Sequence, residues 1–196
     1  MNKIVFATNN ANKLREAREI LSPLGIEVLS LADIDIDCDP DEKGATFEEN
    51  AEIKAEEVYN AIADKYGENM AVFADDSGLC VDALGGGPGV YSARYAPKGQ
   101  ECAKLLDELK GVSDEKRTAR FVCSIVFLDK TGKSDEVHGT CEGMIGHEER
   151  GTNGFGYDPV FIVGNKTMAE MTAEEKNALS HRGAALRALY EMLAKG

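Results

Sequence analysis

An α/β fold built around a mixed central sheet is what this sequence predicts. Helical and strand-like periodicities alternate through its first half, and a hairpin pattern follows in the second. No linker composition, low-complexity stretch or internal repeat divides the 196 residues, so a single domain over residues 1–196 is expected.

Lys3 to Ala7 reads as a short buried strand. The polar turn Thr8-Asn9-Asn10-Ala11-Asn12-Lys13 follows, then a helix with the apolar stripe Leu14, Ala17, Leu21 and Leu24, which Pro23 and Gly25 end. A second strand, Glu27 to Leu31, leads into an acidic loop from Asp33 to Gly44. Thr46 and Glu49 have capping-box spacing and open a long helix that runs to about Tyr66. Met70 to Ala74 is a third strand, ending in Asp75, Asp76, Ser77 and Gly78, with a glycine-rich loop at Gly85, Gly86, Gly87 and Gly89. A short helix covers Glu101 to Lys110. Strand-like runs at Thr118 to Leu128 and Glu136 to Gly143 flank the turn Asp129-Lys130-Thr131-Gly132 and predict an antiparallel pair. A second glycine-rich segment, Gly151 to Asp158, precedes a short strand at Val160 to Val163, and Thr172 with Glu175 repeats the capping box before a helical end.

The formal charge of −13 argues against a nucleic-acid polymer as partner, which needs a clustered basic face. A small polyphosphate stays open, since a few lysines and a divalent cation neutralise it locally. The longest nearly apolar run, Phe121 to Leu128, is too short to span a membrane, and the first residues hold too little apolar sequence for a secretory signal. A cytoplasmic location is expected. The five cysteines are odd in number and widely spaced, which suggests free thiols.

Three polar segments follow a strand or open a helix, where α/β proteins place ligands: Thr8 to Lys13, Asp75 to Gly78, and Gly154 to Asp158. At the first, backbone N–H groups at a helix start and the Lys13 ammonium suit a phosphate, although an ordinary Asn-rich turn has the same look. In the second, adjacent strand residues point to opposite faces, so Asp75 and Asp76 do not share a proton. Asp76 is the expected cleft residue, as a metal ligand or as a base for water. Lys54 falls on the apolar side of its helix with Phe47, Ala51, Val58 and Ile62, and either snorkelling or a bound polyphosphate serves its charge. Lys176, His181 and Arg182 gather near the C-terminal helix. Gly132-Lys133-Ser134 imitates the tail of a P-loop, but position 127 is Phe and the segment joins two strands. His138, His147 and His181 lack zinc-ligand spacing.

Five segments in order, ATNNANK, FADDSGL, LGGGPGVYSARY, GFGYDPVF and AEEKNALSHR, resemble the inosine and xanthosine triphosphate pyrophosphatase family over nearly the whole chain. The resemblance implies an elongated, two-lobed α/β fold with a cleft between the lobes, usually as a homodimer. The implied reaction is Mg²⁺-dependent hydrolysis of ITP, dITP and XTP to monophosphate and pyrophosphate. It implies that Thr8, Asn9, Asn10, Ala11, Asn12, Lys13, Lys54, Ser77, Phe155, Gly156, Tyr157, Asp158, Lys176, His181 and Arg182 hold the nucleotide. Asp76 becomes the base and a metal ligand. A second acidic ligand is expected in the loop before Gly44, where the family usually has Glu and this chain has Asp41, with Glu42 as the neighbouring candidate. Phe155 or Tyr157 would stack on the purine or anchor its loop to the core. Two other readings share this pattern: a nucleotide-binding regulator that does not hydrolyse, and a pyrophosphatase with another base preference.

Overall fold

The computed structural model describes residues 3–195 and contains a seven-stranded mixed sheet in the order β2-β1-β3-β4-β5-β6-β7. The strands are β1 (Lys3–Phe6), β2 (Glu27–Leu29), β3 (Val72–Val81), β4 (Thr118–Leu128), β5 (Ser134–Ile145), β6 (Phe161–Val163) and β7 (Lys166–Thr167). The helices are α1 (Ala11–Leu21), α2 (Phe47–Tyr66), α3 (Glu101–Glu108), α4 (Ala173–Leu179) and α5 (His181–Lys195). β1 pairs parallel with β2 and β3, while β6 pairs antiparallel with β5 and β7, so the mixed sheet is as expected. The chain divides into two compact units, and β3, β4 and β5 each contribute residues to both.

The first unit comprises the chain up to Asp76, Cys123–Gly139 and the chain from Arg182 onward. Strand alternation sorts its apolar side chains into two cores. Ile4 and Phe6 of β1, Phe73 of β3 and Cys123, Ile125 and Phe127 of β4 pack with Ala17 and Leu21 of α1 and Ala185, Leu186 and Leu189 of α5. The intervening residues Val5, Val72, Ala74, Val126 and Leu128 pack instead with Ala51, Ala55, Val58 and Ile62 of α2. Every polar side chain on these strands therefore inherits a defined neighbour, α1 and α5 on one face or α2 on the other.

The helix starts follow from their caps. Asn10 accepts from the N–H groups of Asn12 and Lys13 at the head of α1, and Thr46 accepts from Glu49 N at the head of α2. The expected capping box at α2 is only half formed, because the Glu49 carboxylate takes the N–H of Ala45 (2.6 Å). At α4 both halves of the Thr172–Glu175 box are present.

The second unit comprises Ser77–Val122 and Thr140–His181. Leu79, Val81, Leu105, Leu109, Phe121, Ile145, Phe161 and Met168 form its core. Arg117 is buried there, its charge spread over the carbonyls of Leu109 (2.8 Å), Ile145 (2.8 Å) and Gly146 (2.6 Å). β3 is longer than the sequence suggests: Asp75 to Gly78 do not end it but lie within it. The sequence also hides β7, which has two residues.

Phe6 and Phe73 stack at 4.2 Å between ring centroids and are fully buried. Phe73→Ala is expected to lower unfolding free energy by about 3–5 kcal/mol in urea titrations, the usual cost of emptying an aromatic core site.

Candidate active site

In the first unit, the turn between β1 and α1 is organised by its own side chains. Thr8 Oγ1 accepts from Asn10 N (3.1 Å), and Asn10 Oδ1 accepts from Asn12 N (2.9 Å) and Lys13 N (3.2 Å). Asn9 Nδ2 donates to Cys38 O (3.0 Å) and Asp39 Oδ1 (3.3 Å), tying the turn to the acidic loop. Thr8 to Lys13 thus place a helix N-terminus and a lysine on one short segment, an arrangement suited to an anion.

Asp75 and Asp76 leave β3 on opposite faces, as alternation requires. Asp75 shares the face of Phe73, toward α1 and α5, and is 1% exposed. Lys13 Nζ reaches its Oδ1 (3.0 Å), Arg182 Nε its Oδ2 (3.0 Å), and Arg182 Nη1 donates also to Glu16 (2.6 Å). Burial alone would push the Asp75 carboxyl up, but the Lys13 and Arg182 charges outweigh it and hold the group well below the usual carboxylate range.

Asp76 shares the face of Ala74 and meets α2. Lys54 Nζ is 3.3 Å from its Oδ1, and Asn50 Nδ2 donates to its Oδ2 (3.1 Å). Burial raises the Asp76 carboxyl above its ordinary value, with Glu42 adding to the rise and Lys54 and Lys13 opposing it. Lys54 also bonds Glu42 (2.6 Å). Its ammonium remains above its ordinary value, because Asp76, Asp75 and Glu42 overcome its burial. The charge that the α2 stripe places on an apolar face thus does have protein partners.

The acidic loop places its two candidates differently. Asp41 is exposed and pairs with Lys43 (2.7 Å), whereas Glu42 is the one brought to Lys54 beside Asp76. Sequence reasoning passed over Asn50, which is fully buried and holds the loop as well as the carboxylate: its Oδ1 accepts from Gly44 N (2.8 Å). A Cβ on Gly44 would stand 2.7 Å from that same oxygen, so the approach requires glycine. A signal for Asn50 was present, since it lies four residues before Lys54 and three after Phe47, inside the same stripe. Glu16 was passed over as well, and nothing local marks it, whereas alternation had already set Asp75 on the face opposite Asp76.

In the second unit, Asp158 organises the Gly154 to Asp158 segment. Its Oδ2 accepts from Phe155 N (2.8 Å) and from Lys176 Nζ (2.6 Å), and both charged residues are buried. A Cβ at Gly154, where φ is +75°, would fall 1.9 Å from the same oxygen. Gly156 also adopts a left-handed backbone and its carbonyl accepts from Cys102 Sγ (3.3 Å). Lys176 Nζ lies 4.7 Å from the centre of the Phe155 ring. Tyr157 is the core anchor of the two aromatics: it is buried and its hydroxyl donates to Ser92 O (2.9 Å). His181 is buried and stacks on Phe121 at 4.6 Å and 11°. Ser77 is half-buried on β3. The predicted residues thus fall into two groups. Thr8 to Lys13, Lys54, Asp76 and Arg182 belong to the first unit, and Ser77, Phe155 to Asp158, Lys176 and His181 to the second. The P-loop imitation is a turn: Lys133 pairs with Asp135 (2.9 Å) and its carbonyl accepts from Asp129 N.

The two neighbouring carboxylates should respond oppositely to neutralisation. Asp75→Asn leaves the buried Arg182 and the half-buried Lys13 short of a counter-charge and is expected to lose about 3–5 kcal/mol at pH 7. Because the folded state holds the Asp75 proton affinity down, that stability is present above the unfolded carboxylate value and fades as pH falls through the folded one, so the gap to wild type should close in acid. Asp76→Asn removes a carboxylate whose charged form burial disfavours, and denaturation at pH 7 should show little or no loss.

The Ham1 family model matches residues 4–192. The chain is 48% identical to the dITP/XTP pyrophosphatase of Bacillus subtilis (strain 168) and 46% identical to that of Clostridium perfringens (strain 13 / Type A), each alignment covering 98% of both chains. Among solved structures it resembles the Ham1 protein of Staphylococcus aureus, with TM-score 0.84, 38% identity and 99% of both chains covered. It also resembles a HAM1 protein from Coxiella burnetii, with TM-score 0.84, 40% identity and complete coverage of both chains. With a family match over nearly its full length and relatives close to half identical, this chain belongs to the Ham1 family.

Proposed function

We propose that this chain hydrolyses deaminated purine nucleoside triphosphates, ITP, dITP and XTP, to the monophosphate and pyrophosphate, and so clears them from the nucleotide pool. The observation that carries the proposal is Asp76: a buried carboxylate, raised in proton affinity, held between Asn50 and Lys54 in a chain whose relatives are named dITP/XTP pyrophosphatases. A raised carboxyl value brings a base closer to the working pH, which favours proton abstraction from water.

Asp76 orients and deprotonates the water that attacks the α phosphorus. The positive end of α1, with Lys13 and Lys54, takes up the charge of the triphosphate. Mg²⁺ is the proposed cofactor. Asp76 and Glu42 fit it, since two carboxylates converging on one ammonium offer hard oxygen ligands to a cation. When bound, Mg²⁺ supplies charge neutralisation along the phosphates. Ser77 and the Phe155 to Asp158 segment complete the nucleotide contacts, with Phe155 rather than the anchored Tyr157 against the purine. Lys176 and His181 are the donors offered to the 6-keto oxygen. Adenine presents an amino donor there, and a site built to donate rejects it by a factor on the order of 10⁴. Arg182 acts as a positioning residue through Asp75. A homodimer in the cytoplasm belongs to the proposal on family resemblance; among the described residues no helix is long and apolar enough to cross a membrane.

Product analysis with Mg²⁺ tests the reaction. Monophosphate plus pyrophosphate, mainly from ITP, dITP and XTP and not from ATP or the pyrimidine triphosphates, is expected. Diphosphate plus phosphate, or tight binding without product, would contradict it. Asp76→Asn should abolish turnover, and Glu42→Gln should raise the Mg²⁺ concentration needed for half-maximal rate while Asp41→Asn leaves it unchanged.

A further inference from the structure

Away from Asp76, a second group of potential ligands comes together from two distant stretches of the first unit. Glu48 lies in the first turn of α2, and Glu136 and His138 are on β5, two residues apart and so on one face. One ligand atom from each lies within 4.8 Å of the others. All three stand at the surface, with side chains 40%, 40% and 50% exposed.

A fully buried hydroxyl fixes the histidine's orientation. Ser124 Oγ on β4 donates to Glu48 Oε1 (2.9 Å) and lies 3.1 Å from His138 Nδ1. The hydroxyl has one proton, and Glu48 takes it, so Nδ1 must carry the hydrogen of its bond to Oγ. In the neutral ring Nε2 is then a bare acceptor. It faces Glu136 Oε1 at 3.2 Å, another acceptor. At that distance the two atoms need either a proton on Nε2 or a metal ion beside both, and neither Glu48 nor Glu136 meets a lysine or arginine among the described residues. Bond lengths of about 2.0–2.2 Å from zinc to imidazole nitrogen and carboxylate oxygen suit ligands held this far apart.

We propose that Glu48, Glu136 and His138 form a second divalent-cation site, distinct from the carboxylates at Asp76, selective for an ion of the zinc, cobalt or nickel class. The imidazole sets the selectivity, because one nitrogen with two carboxylates is a borderline donor set, whereas Mg²⁺ favours oxygen alone. Ser124 is the group behind the ligands that fixes the ring, and water fills the remaining positions on the exposed side. A bound ion ties the first turn of α2 to β5. The site does not depend on the chain's being a pyrophosphatase.

The test is titration of the full chain with Co²⁺ while excess Mg²⁺ is present, followed by visible absorption and by the ring resonances of His138. One equivalent of Co²⁺ is expected to bind and perturb those resonances. Glu136→Gln and His138→Ala should each weaken binding at least about tenfold, and Ser124→Ala by roughly 10- to 100-fold, the usual effect of losing a group that orients a ligand. Asp76→Asn should leave it intact. Zn²⁺ should raise the thermal midpoint of wild type and not of His138→Ala. His138→Ala should keep wild-type turnover with Mg²⁺. Equal Co²⁺ binding by wild type and His138→Ala, or none above the Mg²⁺ background, would overturn the proposal and leave the cluster as an imidazolium between carboxylates.

Discussion

Asp75 and Asp76 are neighbours on a buried strand, and β-alternation sends them to opposite faces with opposite consequences. Asp75 emerges among α1 and α5, where Lys13 and Arg182 close on its two oxygens and Arg182 continues to Glu16. A charge so enclosed is tolerable because its partners are in place, and removing one member leaves the others buried without compensation. That network joins the helix after β1, the middle of β3 and the start of α5. It also fixes Lys13 at the head of α1, in the turn after β1.

On the other face the electrostatics are deliberately incomplete. Asp76 has one lysine and one amide, shares that lysine with Glu42, and is held above the ordinary carboxylate value by its burial, with Glu42 adding to the rise. The arrangement depends on Gly44, whose missing side chain lets Asn50 take the loop N–H with its oxygen while giving its amide to Asp76. A polar residue in an apolar helical stripe, a glycine at a close approach and an acid on a buried strand thus form one mechanical unit. The same principle recurs in the second unit, where Asp158 collects Phe155 N and Lys176 and leaves no room for a Cβ at Gly154.

Much of this was legible in the sequence because it rests on period. The 3.6-residue phase of α2 put Lys54 on the buried side, alternation separated the two aspartates, and the turn after Asp129 identified the β4–β5 hairpin. What escaped was whatever depends on pairing across the fold. β3 looked as though it ended at Asp75 because a polar run reads as a loop, yet Asp75 and Asp76 are buried against partners from other elements. Asn50 and Glu16 carry no local mark of their partners, and the choice between Asp41 and Glu42 turns on which side chain the loop aims at Lys54. The Glu48, Glu136 and His138 group was invisible for the same reason: histidine spacing says nothing about a carboxylate brought in from a distant helix.

The central claim is that water activated by Asp76 attacks the α phosphorus. Hydrolysis of ITP in H₂¹⁸O, with mass analysis of both products, tests it most directly. The account predicts a single ¹⁸O in inosine monophosphate and none in pyrophosphate. Label in the pyrophosphate would mean attack at the β phosphorus and would contradict the assignment of Asp76 as a base aimed at the nucleoside end of the triphosphate.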